Sequence, residues 1–226
     1  MPALSIMMAT NYGECEVSPM SRFAFLIVVL AVSTAAAGGF VFDFDDAAIG
    51  PVHSGFTVAT GVWQVRADDS APSSTNVLVQ AAQNEGSDFN IIVVDEVELK
   101  DLEVIVRFKS LSGIEDQGGG PVWRYIDVNN YYIARYNPLE DNFRLYRVVD
   151  GHRKMLKSMT VAATPGWHEI RVSMMGNHIE CFYDGKPALE AMDDTFTAAG
   201  QVGLWTKADA VTAFDDLEAA AAGGEK

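Results

Sequence analysis

Residues 118–158 read GGGPVWRYIDVNNYYIARYNPLEDNFRLYRVVDGHRKMLKS, and this stretch decides the fold. Short alternating segments are separated by three turn signals, which are Val128-Asn129, Pro138-Leu139-Glu140-Asp141 and Asp150-Gly151. Asp-Gly is a strong signal for a two-residue hairpin, and a run that begins with Pro suits a longer loop. The stretch therefore predicts four consecutive antiparallel strands in one defined register.

That register pairs residues across the three hairpins, namely Arg124 with Ile133, Tyr131 with Ile126, Arg135 with Arg144, Ile133 with Tyr146, and Tyr146 with Met155. Because side chains alternate across a strand, one face, which we interpret as core, carries Trp123, Tyr125, Tyr132, Ala134, Tyr136, Phe143, Leu145 and Leu156. The opposite face is predicted to be reached by water and carries Arg124, Ile126, Tyr131, Ile133, Arg135, Arg144, Tyr146, Arg153 and Lys157.

The rest of the chain also reads as short strands. Phe40, Phe42 and Phe44 alternate in a first strand, Gly176-Asn177 closes another hairpin, and residues 213–218 form the last strand. No long helical pattern is present, and roughly a dozen short strands with turns between them indicate an all-β, antiparallel two-sheet sandwich or jelly roll. We expect one domain over residues 38–220, followed by a disordered tail over 221–226.

The N-terminal region resembles a secretory signal. About ten apolar residues follow Arg22, and Ala35-Ala36-Ala37 offers a cleavage site of small residues. We therefore assign residues 20–37 to a signal peptide and interpret 1–19 as an upstream, misassigned extension, with an uncleaved amphipathic anchor as the alternative. The mature protein is expected in the periplasm or outside the cell, with no membrane span. Only Cys15 and Cys181 are present, so no disulfide framework is expected.

The charge is unevenly distributed. A net charge of −15 argues against nucleic acid and anionic lipid as partners. Nine of the sixteen Lys and Arg nevertheless lie in residues 107–157 with only six acids, so this stretch has a net charge of +3. A basic region on an acidic protein suits an anion or sugar site, although solvated strand faces also favour Arg and Lys.

Three segments together resemble a known class of domain: GGGPVWRYIDVNNYYIARYNPLEDNFRLYRVVDGHR, GWHEIRVSMMGNHIECFYDGK and GQVGLWTKADAVTAFDDLE. They resemble concanavalin A-like, laminin G-like jelly-roll domains of exported bacterial proteins, many of them labelled as relatives of the 3-keto-disaccharide hydrolase domain or of family 16 glycoside hydrolases. The resemblance covers roughly residues 40–218. It implies two curved antiparallel sheets with one concave face, or its rim, available for carbohydrate.

A catalytic site is not predicted. Retaining glycosidases need two carboxylates about 5 Å apart, and the Glu-x-Asp-x-x-Glu or Glu-x-Asp-x-Glu pattern of family 16 has no match in this chain. The nearest stretch, Asp95-Glu96-Val97-Glu98, is interpreted as a solvated turn. The four histidines have no Ser or Cys partner at a recognisable spacing. A hydrolase or lyase acting on a modified, 3-keto sugar therefore stays an alternative.

Acidic residues cluster in the first and last strands, which tend to be neighbours in jelly rolls. The candidate ligands for a structural Ca²⁺ are Asp43, Asp45, Asp215 and Asp216, with Asp46 and Glu218 beside them. Acidic edge strands also deter aggregation without any metal. No other cofactor is predicted.

The best functional indication is a layer of arginine and tyrosine on the face predicted to be exposed. Its members are Arg107, Arg124, Tyr131, Arg135, Arg144 and Tyr146. Aromatic rings stack on sugar rings, and Arg forks bind carboxylate, sulfate or paired hydroxyl groups, so this layer suits a polyhydroxylated or acidic glycan. The alternative is cross-strand pairing with Glu103 and Asp127. Placing Arg135 beside Arg144 is unfavourable unless an anion lies between them, which favours a site.

We therefore expect an exported, non-catalytic module that binds carbohydrate. The second hypothesis is the hydrolase or lyase, and the third is an envelope protein with a structural or interaction role. Trp63, Trp167 and Trp205 are assigned to core packing and not to sugar stacking.

Overall fold

The computed structural model describes residues 39–223, except 53 and 74. The predicted extension over 1–19 and signal peptide over 20–37 lie outside the described residues. The predicted tail is described only in part, and the last strand includes its first residue, Ala221.

The described chain consists of sixteen strands: β1 Phe40–Phe42, β2 Gly50–Pro51, β3 Phe56–Thr60, β4 Trp63–Ala67, β5 Asn76–Gln80, β6 Phe89–Leu99, β7 Leu102–Ser112, β8 Gly120–Asp127, β9 Asn130–Asn137, β10 Asn142–Val149, β11 His152–Thr160, β12 His168–Met175, β13 His178–Tyr183, β14 Lys186–Met192, β15 Gly200–Lys207 and β16 Val211–Ala221. They form two antiparallel sheets. The nine-stranded sheet has the order β14-β13-β12-β7-β16-β5-β4-β2, with β1 also paired to β16. The seven-stranded sheet has the order β11-β10-β9-β8-β15-β6-β3. The predicted all-β, two-sheet sandwich is confirmed.

The main core lies between the sheets and is rich in aromatic residues. Trp123 stacks on Tyr132 with ring centroids 5.7 Å apart, and Phe214 packs against Trp63 at 5.9 Å. Cys181 is buried there, as expected of a thiol that acts as a small hydrophobe, and burial raises its pKa. The residues predicted to face inward lie in or against this core, with the exception of Tyr125.

Turn chemistry predicted the three central hairpins. β8 ends at Asp127 and β9 begins at Asn130, β9 and β10 are joined by residues 138–141, and Asp150-Gly151 joins β10 to β11. The pairings of Arg135 with Arg144, Ile133 with Tyr146, and Tyr146 with Met155 are all confirmed.

A register irregularity between β10 and β11 pairs Lys157, which was predicted for the outer face, with the inward residue Leu145. The predicted register also fails in β8. Val122 rather than Arg124 pairs with Ile133, and the pairing is irregular between Trp123 and Asp127, a stretch that includes Ile126, the partner predicted for Tyr131. Arg124 has a positive φ of 44°, which is unusual for a residue with a side chain. Such an irregularity exchanges the faces that follow it. Arg124 therefore leaves the outer face, and Tyr125 joins it.

Two other expectations concern the acidic segments. The stretch from Asp95 to Glu98 is not a turn, since it continues strand β6 with a backbone irregularity at Glu96, where φ is 58°. The first and last strands are neighbours as predicted, because β1 pairs antiparallel with β16. The described residues contain no helix, and so none that could cross a lipid bilayer.

A buried polar network below Tyr132 makes stability depend on pH. Asp193 accepts hydrogen bonds from the Tyr132 hydroxyl at 2.7 Å, Arg147 at 2.6 Å and the Thr195 amide at 3.0 Å. Burial alone would raise the pKa of Asp193, but the bonds from Thr195 and Tyr132 and the charge of Arg147 outweigh it, so the pKa lies below its usual value.

A carboxyl whose pKa is lower in the folded than in the unfolded chain stabilises the fold above its unfolded pKa, and this contribution is lost as the pH falls. We expect the Asp193→Asn variant to be less stable than the wild type at pH 7, with a smaller further loss between about pH 5 and pH 3. Urea unfolding across this range measures the difference. Parallel pH profiles for the two proteins would contradict the assignment.

Candidate functional site

The outer face of the seven-stranded sheet carries a second buried cluster. Its members are Ile91, Val93, Val122, Tyr125, Tyr131, Ile133, Val148 and Trp205, none of them more than 8 % exposed. They alternate along their strands with residues of the main core, such as Ile92, Tyr132 and Leu204. The second face of an antiparallel sheet is ordinarily polar and solvated, so this apolar, buried outer face needs a reason other than the sandwich itself.

Arg153 lies over this outer face from strand β11. Its guanidinium carbon is 4.5 Å from the ring centroid of Tyr146, 5.6 Å from that of Phe89 and 5.7 Å from that of Trp205. Within the described residues it forms no ion pair. Burial lowers the pKa of Arg153. Desolvation of a cation without a close counter-charge is unfavourable, so this environment suits an anionic partner.

Several hydrogen-bond donors on the outer face are buried and have no partner among the described residues. They are the Tyr131 hydroxyl, the Trp205 indole N–H, Arg153 Nη1, and Arg135 Nε and Nη1. An unsatisfied buried donor costs about 1–3 kcal/mol, and native proteins contain few of them. Burial raises the pKa of Tyr131, so its hydroxyl keeps its proton. The nearby Trp205 side chain opposes this rise in pKa. The geometry between the two side chains is nevertheless not that of a hydrogen bond. Trp205 neighbours both Tyr131 and Arg153, whereas Arg135 lies four residues along β9 from Tyr131.

Arg135 and Arg144, paired across β9 and β10, share one carboxylate. Glu140 Oε2 lies 3.0 Å from Arg135 Nη2 and 2.9 Å from Arg144 Nη1. A hydrogen bond from Asn142, the largest influence, and the two guanidinium charges hold the pKa of Glu140 below its usual value. The protein itself thus supplies the anion between the two arginines, and the argument that their pairing requires an external anion is wrong.

A second carboxylate, Asp116, lies in the glycine-rich loop between β7 and β8. It is 3 % exposed and lies 3.7 Å from Arg135 Nη1 and 3.4 Å from Lys207 Nζ. The loop is held by Asp209, whose carboxylate accepts the backbone N–H of Asp116 at 3.0 Å. Burial raises the pKa of Asp116, although Arg135 and Lys207 oppose the rise. Asp116 and Glu140 thus flank the same guanidinium with pKa values shifted in opposite directions.

A cavity of about 580 Å³ adjoins one end of the outer face. Phe89 and Ile91, which belong to or pack against the second cluster, line it together with the turn residues Asn129 and Gly151. The Phe89 ring that lines this cavity also lies 5.6 Å from the guanidinium carbon of Arg153. The residues that carry the buried donors do not line this cavity, and Phe89 connects it to Arg153.

The structure brings together four of the six predicted ligand-binding residues. Tyr131, Arg135, Arg144 and Tyr146 share the outer face. Tyr131, Arg135 and Tyr146 are only 0 %, 1 % and 5 % exposed, so the expectation of an open, water-covered surface is wrong for these three. Whether these residues bind a ligand stays a prediction.

The other two predicted residues lie elsewhere. Arg124 is turned away from the outer face by the irregularity in β8, and it donates to the carbonyl oxygens of Lys100, Gly176 and Phe196. Arg107 is in β7, a strand of the other sheet, where it pairs with Asp216 and lies 3.6 Å from Glu169. The prediction that four arginines form a single layer is therefore wrong.

Sequence reasoning missed Trp205 and Asp116 as part of this site, and it placed Arg153 on the correct face without giving it a role. The alternation in GQVGLWTK, with Val202 and Leu204 facing inward, was the available signal that Trp205 faces outward. Nothing in the sequence indicated that the Asp116 loop reaches Arg135.

The predicted calcium ligands do not gather into a cluster. Among the described residues, no group of three or more His, Cys, Asp or Glu side chains is arranged to hold a metal ion. Asp216 is engaged by Arg107, and Asp215 accepts hydrogen bonds from Ser73 at 3.0–3.2 Å. One oxygen of Asp45 is buried without a partner, while Asp43 accepts the Asp45 backbone N–H. Calcium binding stays a prediction.

No protein-family model and no curated protein matches the chain. Solved structures do match it. The carbohydrate-binding module CBM66 from Bacillus subtilis aligns with a TM-score of 0.63 at 16 % identity, over 74 % of this chain and 96 % of that one. The Crh5 transglycosylase aligns with a TM-score of 0.57 at 12 % identity, over 84 % of this chain and 86 % of that one. A GH43 protein, BlXynB from Bacillus licheniformis, aligns at 0.54 and 17 % identity, over 80 % of this chain and 39 % of that one.

At these identities the likeness shows the fold alone. Together with the two antiparallel sheets, it confirms that the chain is a concanavalin A-like jelly-roll β-sandwich, as the sequence resemblance implied.

Proposed function

We propose that this protein binds carbohydrate through the outer face of the seven-stranded sheet and that it does so without catalysis. The observation that carries the proposal is the set of buried donors without a partner that Tyr131, Trp205, Arg135 and Arg153 place on one face. Such donors gain a partner when a ligand supplies oxygen acceptors. A sugar offers these acceptors around its ring.

The aromatic residues of the outer face support the same function. Of the three rings near the Arg153 guanidinium, Tyr146 and Trp205 are buried, and Phe89 is partly exposed and lines the cavity. An exposed aromatic ring complements the apolar face of a sugar ring. The fold is shared with a protein named as a carbohydrate-binding module and with two named as a GH43 protein and a transglycosylase. Export to the periplasm or the cell exterior, which the N-terminal residues predict, would bring the protein to extracellular or envelope glycans.

The variant Tyr131→Phe tests this site. It removes one unpartnered hydroxyl and leaves the ring in place, so the free energy of unfolding should be unchanged or slightly higher. Affinity for the best-bound member of a glycan array should fall about tenfold, the effect of one lost hydrogen bond of about 1.4 kcal/mol. Titration calorimetry gives the affinity, and urea unfolding gives the stability.

The neighbouring residue supplies a matched control. Tyr132→Phe removes a hydroxyl from the same strand but from the inner face, where it donates to Asp193 at 2.7 Å. This variant should lose stability and keep its glycan affinity. Equal affinity of the wild type and Tyr131→Phe would exclude the outer face as the binding site. Absence of binding to any glycan would favour the structural or interaction role in the envelope.

A hydrolase is the second candidate, because Asp116 and Glu140 flank Arg135 with pKa values shifted upward and downward. Glycoside hydrolysis uses two carboxyl groups whose environments shift their pKa values apart. Release of reducing sugar from a bound glycan by the wild type, and its loss in Asp116→Asn, would establish this activity in place of binding alone.

A further inference from the structure

Among the described residues, one cation of the outer face, Arg153, has no carboxylate partner. Glu140 pairs with Arg135 and Arg144, and Asp116 pairs with Arg135 and Lys207. Both carboxylates of this network are therefore used by other cations. They act on Arg153 only at longer range, where the like charge of Arg135 opposes them.

The unpartnered atoms around Arg153 are donors. They comprise guanidinium N–H groups and an indole N–H, which only donate, and a phenolic hydroxyl, which donates and can also accept. Asn142 Oδ1 is an unpartnered acceptor, but it lies at the start of β10, where its amide nitrogen donates to Glu140. A sugar hydroxyl brings a donor with each acceptor and carries no charge, whereas a carboxylate or sulfate brings acceptors and a negative charge. The donor set therefore matches an anion better than a neutral hydroxyl.

The surroundings of Arg153 strengthen this preference. Aromatic rings of Tyr146, Phe89 and Trp205 enclose the guanidinium, and an ion pair is stronger where apolar groups exclude water. Asp88 lines the adjoining cavity, but it is exposed to solvent, so its repulsion of an anion is screened. A planar guanidinium also binds a carboxylate or sulfate through two parallel hydrogen bonds.

We propose that the glycan bound by this protein is anionic and that its carboxylate or sulfate group pairs with Arg153, between Tyr131 and Trp205. This inference rests on the proposed function, because it names the class of ligand for the same face. It makes Arg153, rather than the paired Arg135 and Arg144, the residue that selects the charged sugar.

The experiment uses a glycan array that contains neutral, uronate-bearing and sulfated polysaccharides, followed by titration with chemically matched pairs. Polygalacturonate is compared with its methyl ester, and dextran sulfate with dextran. We expect the array signals to concentrate among the anionic glycans. Within the bound pair, neutralising or removing the anion should weaken binding at least tenfold. The comparison with the methyl ester tests a carboxylate as the bound group, and the comparison with dextran tests a sulfate.

Variants then assign the preference to Arg153. Arg153→Gln should bind the anionic glycan no better than the matched neutral glycan. Arg153→Lys keeps the positive charge but loses the two parallel donors of the guanidinium, so it should retain part of the preference for the anionic glycan. The control is Arg171→Gln, because Arg171 lies 3.6 Å over the Phe182 ring but on the other sheet; it should bind as the wild type does. Thermal unfolding verifies that each variant is folded.

The outcomes separate this inference from the proposed function. Array signals from neutral glycans, or equal affinity for the two members of a pair, would overturn the anionic ligand and leave carbohydrate binding intact. A charge preference that persists in Arg153→Gln would overturn the role of Arg153. Absence of any glycan binding would overturn both proposals.

Discussion

Replacing Arg124 by methionine is expected to lower the free energy of unfolding by about 3–5 kcal/mol. Arg124 is 1 % exposed and donates to the carbonyl oxygens of Lys100 at 2.9 Å, Gly176 at 2.8 Å and Phe196. These carbonyls belong to different connections between strands, so one side chain fastens three segments. Methionine fills much of the volume but removes the donor of all three carbonyls. The bond to Phe196 is buried, and its acceptor would be left unsatisfied at a cost of about 1–3 kcal/mol. Urea unfolding monitored by tryptophan fluorescence measures the loss.

Arg171→Met is the matched control for this variant. Arg171 is partly exposed and lies 2.9 Å from a Glu103 carboxylate oxygen, and exposed pairs of this kind contribute about 0–1 kcal/mol. If Arg124→Met cost no more than Arg171→Met, the role of Arg124 in fastening the three segments would be contradicted.

Local chemistry predicted the centre of the fold because the information there is local. Asp150 and Gly151 both have positive φ, at 49° and 77°, and Asp-Gly is the dipeptide that accepts this conformation readily. Once the turn is fixed, strand alternation fixes the faces of β10 and β11 as far as Tyr146 and Met155, where the register shifts. The pairing of Tyr146 with Met155 followed from the turn alone.

The positions of the arginines in the fold could not be predicted from the local sequence. Arg124 changes face because β8 contains an irregularity that no turn signal marks. Arg107 belongs to the other sheet because β7 pairs with β12 and β16, which lie far along the chain. Alternation within a strand says which residues share a face, but it does not say which sheet the strand joins. The predicted layer of four arginines needed both pieces of information.

The candidate site is defined by polar groups that have no partner among the described residues of the folded chain. Arg135, Arg144 and Arg153 have the same chemistry in the sequence, yet Glu140 compensates the first two and leaves the third. Trp205 was assigned to core packing, and it is 0 % exposed in the second cluster, but its indole N–H is one of the unpartnered donors of the outer face. Unsatisfied donors are a property of the folded arrangement, so composition and spacing could not reveal them.

Gly203 lies in β15, between β8 and β6 of the seven-stranded sheet, two residues before Trp205. A methyl group at this position would lie 2.1 Å from the carbonyl oxygen of Ile92 and 2.8 Å from the Cα atom of Val93. Both contacts are with backbone, which cannot rotate away as a side chain can. The strands would have to separate, and the outer face that spans them would be disturbed.

Gly203→Ala is therefore expected to lower the free energy of unfolding by about 3 kcal/mol or more. It should also weaken glycan binding, because Trp205 and Ile91 lie on the paired strands. Gly39→Ala is the control, since its methyl group would meet the Ala220 side chain at 3.4 Å, an ordinary contact, and its stability should change by at most about 0.5 kcal/mol. Thermal unfolding compares the two variants. Equal midpoints would mean that β15 and β6 are not held as closely as the proposed site requires.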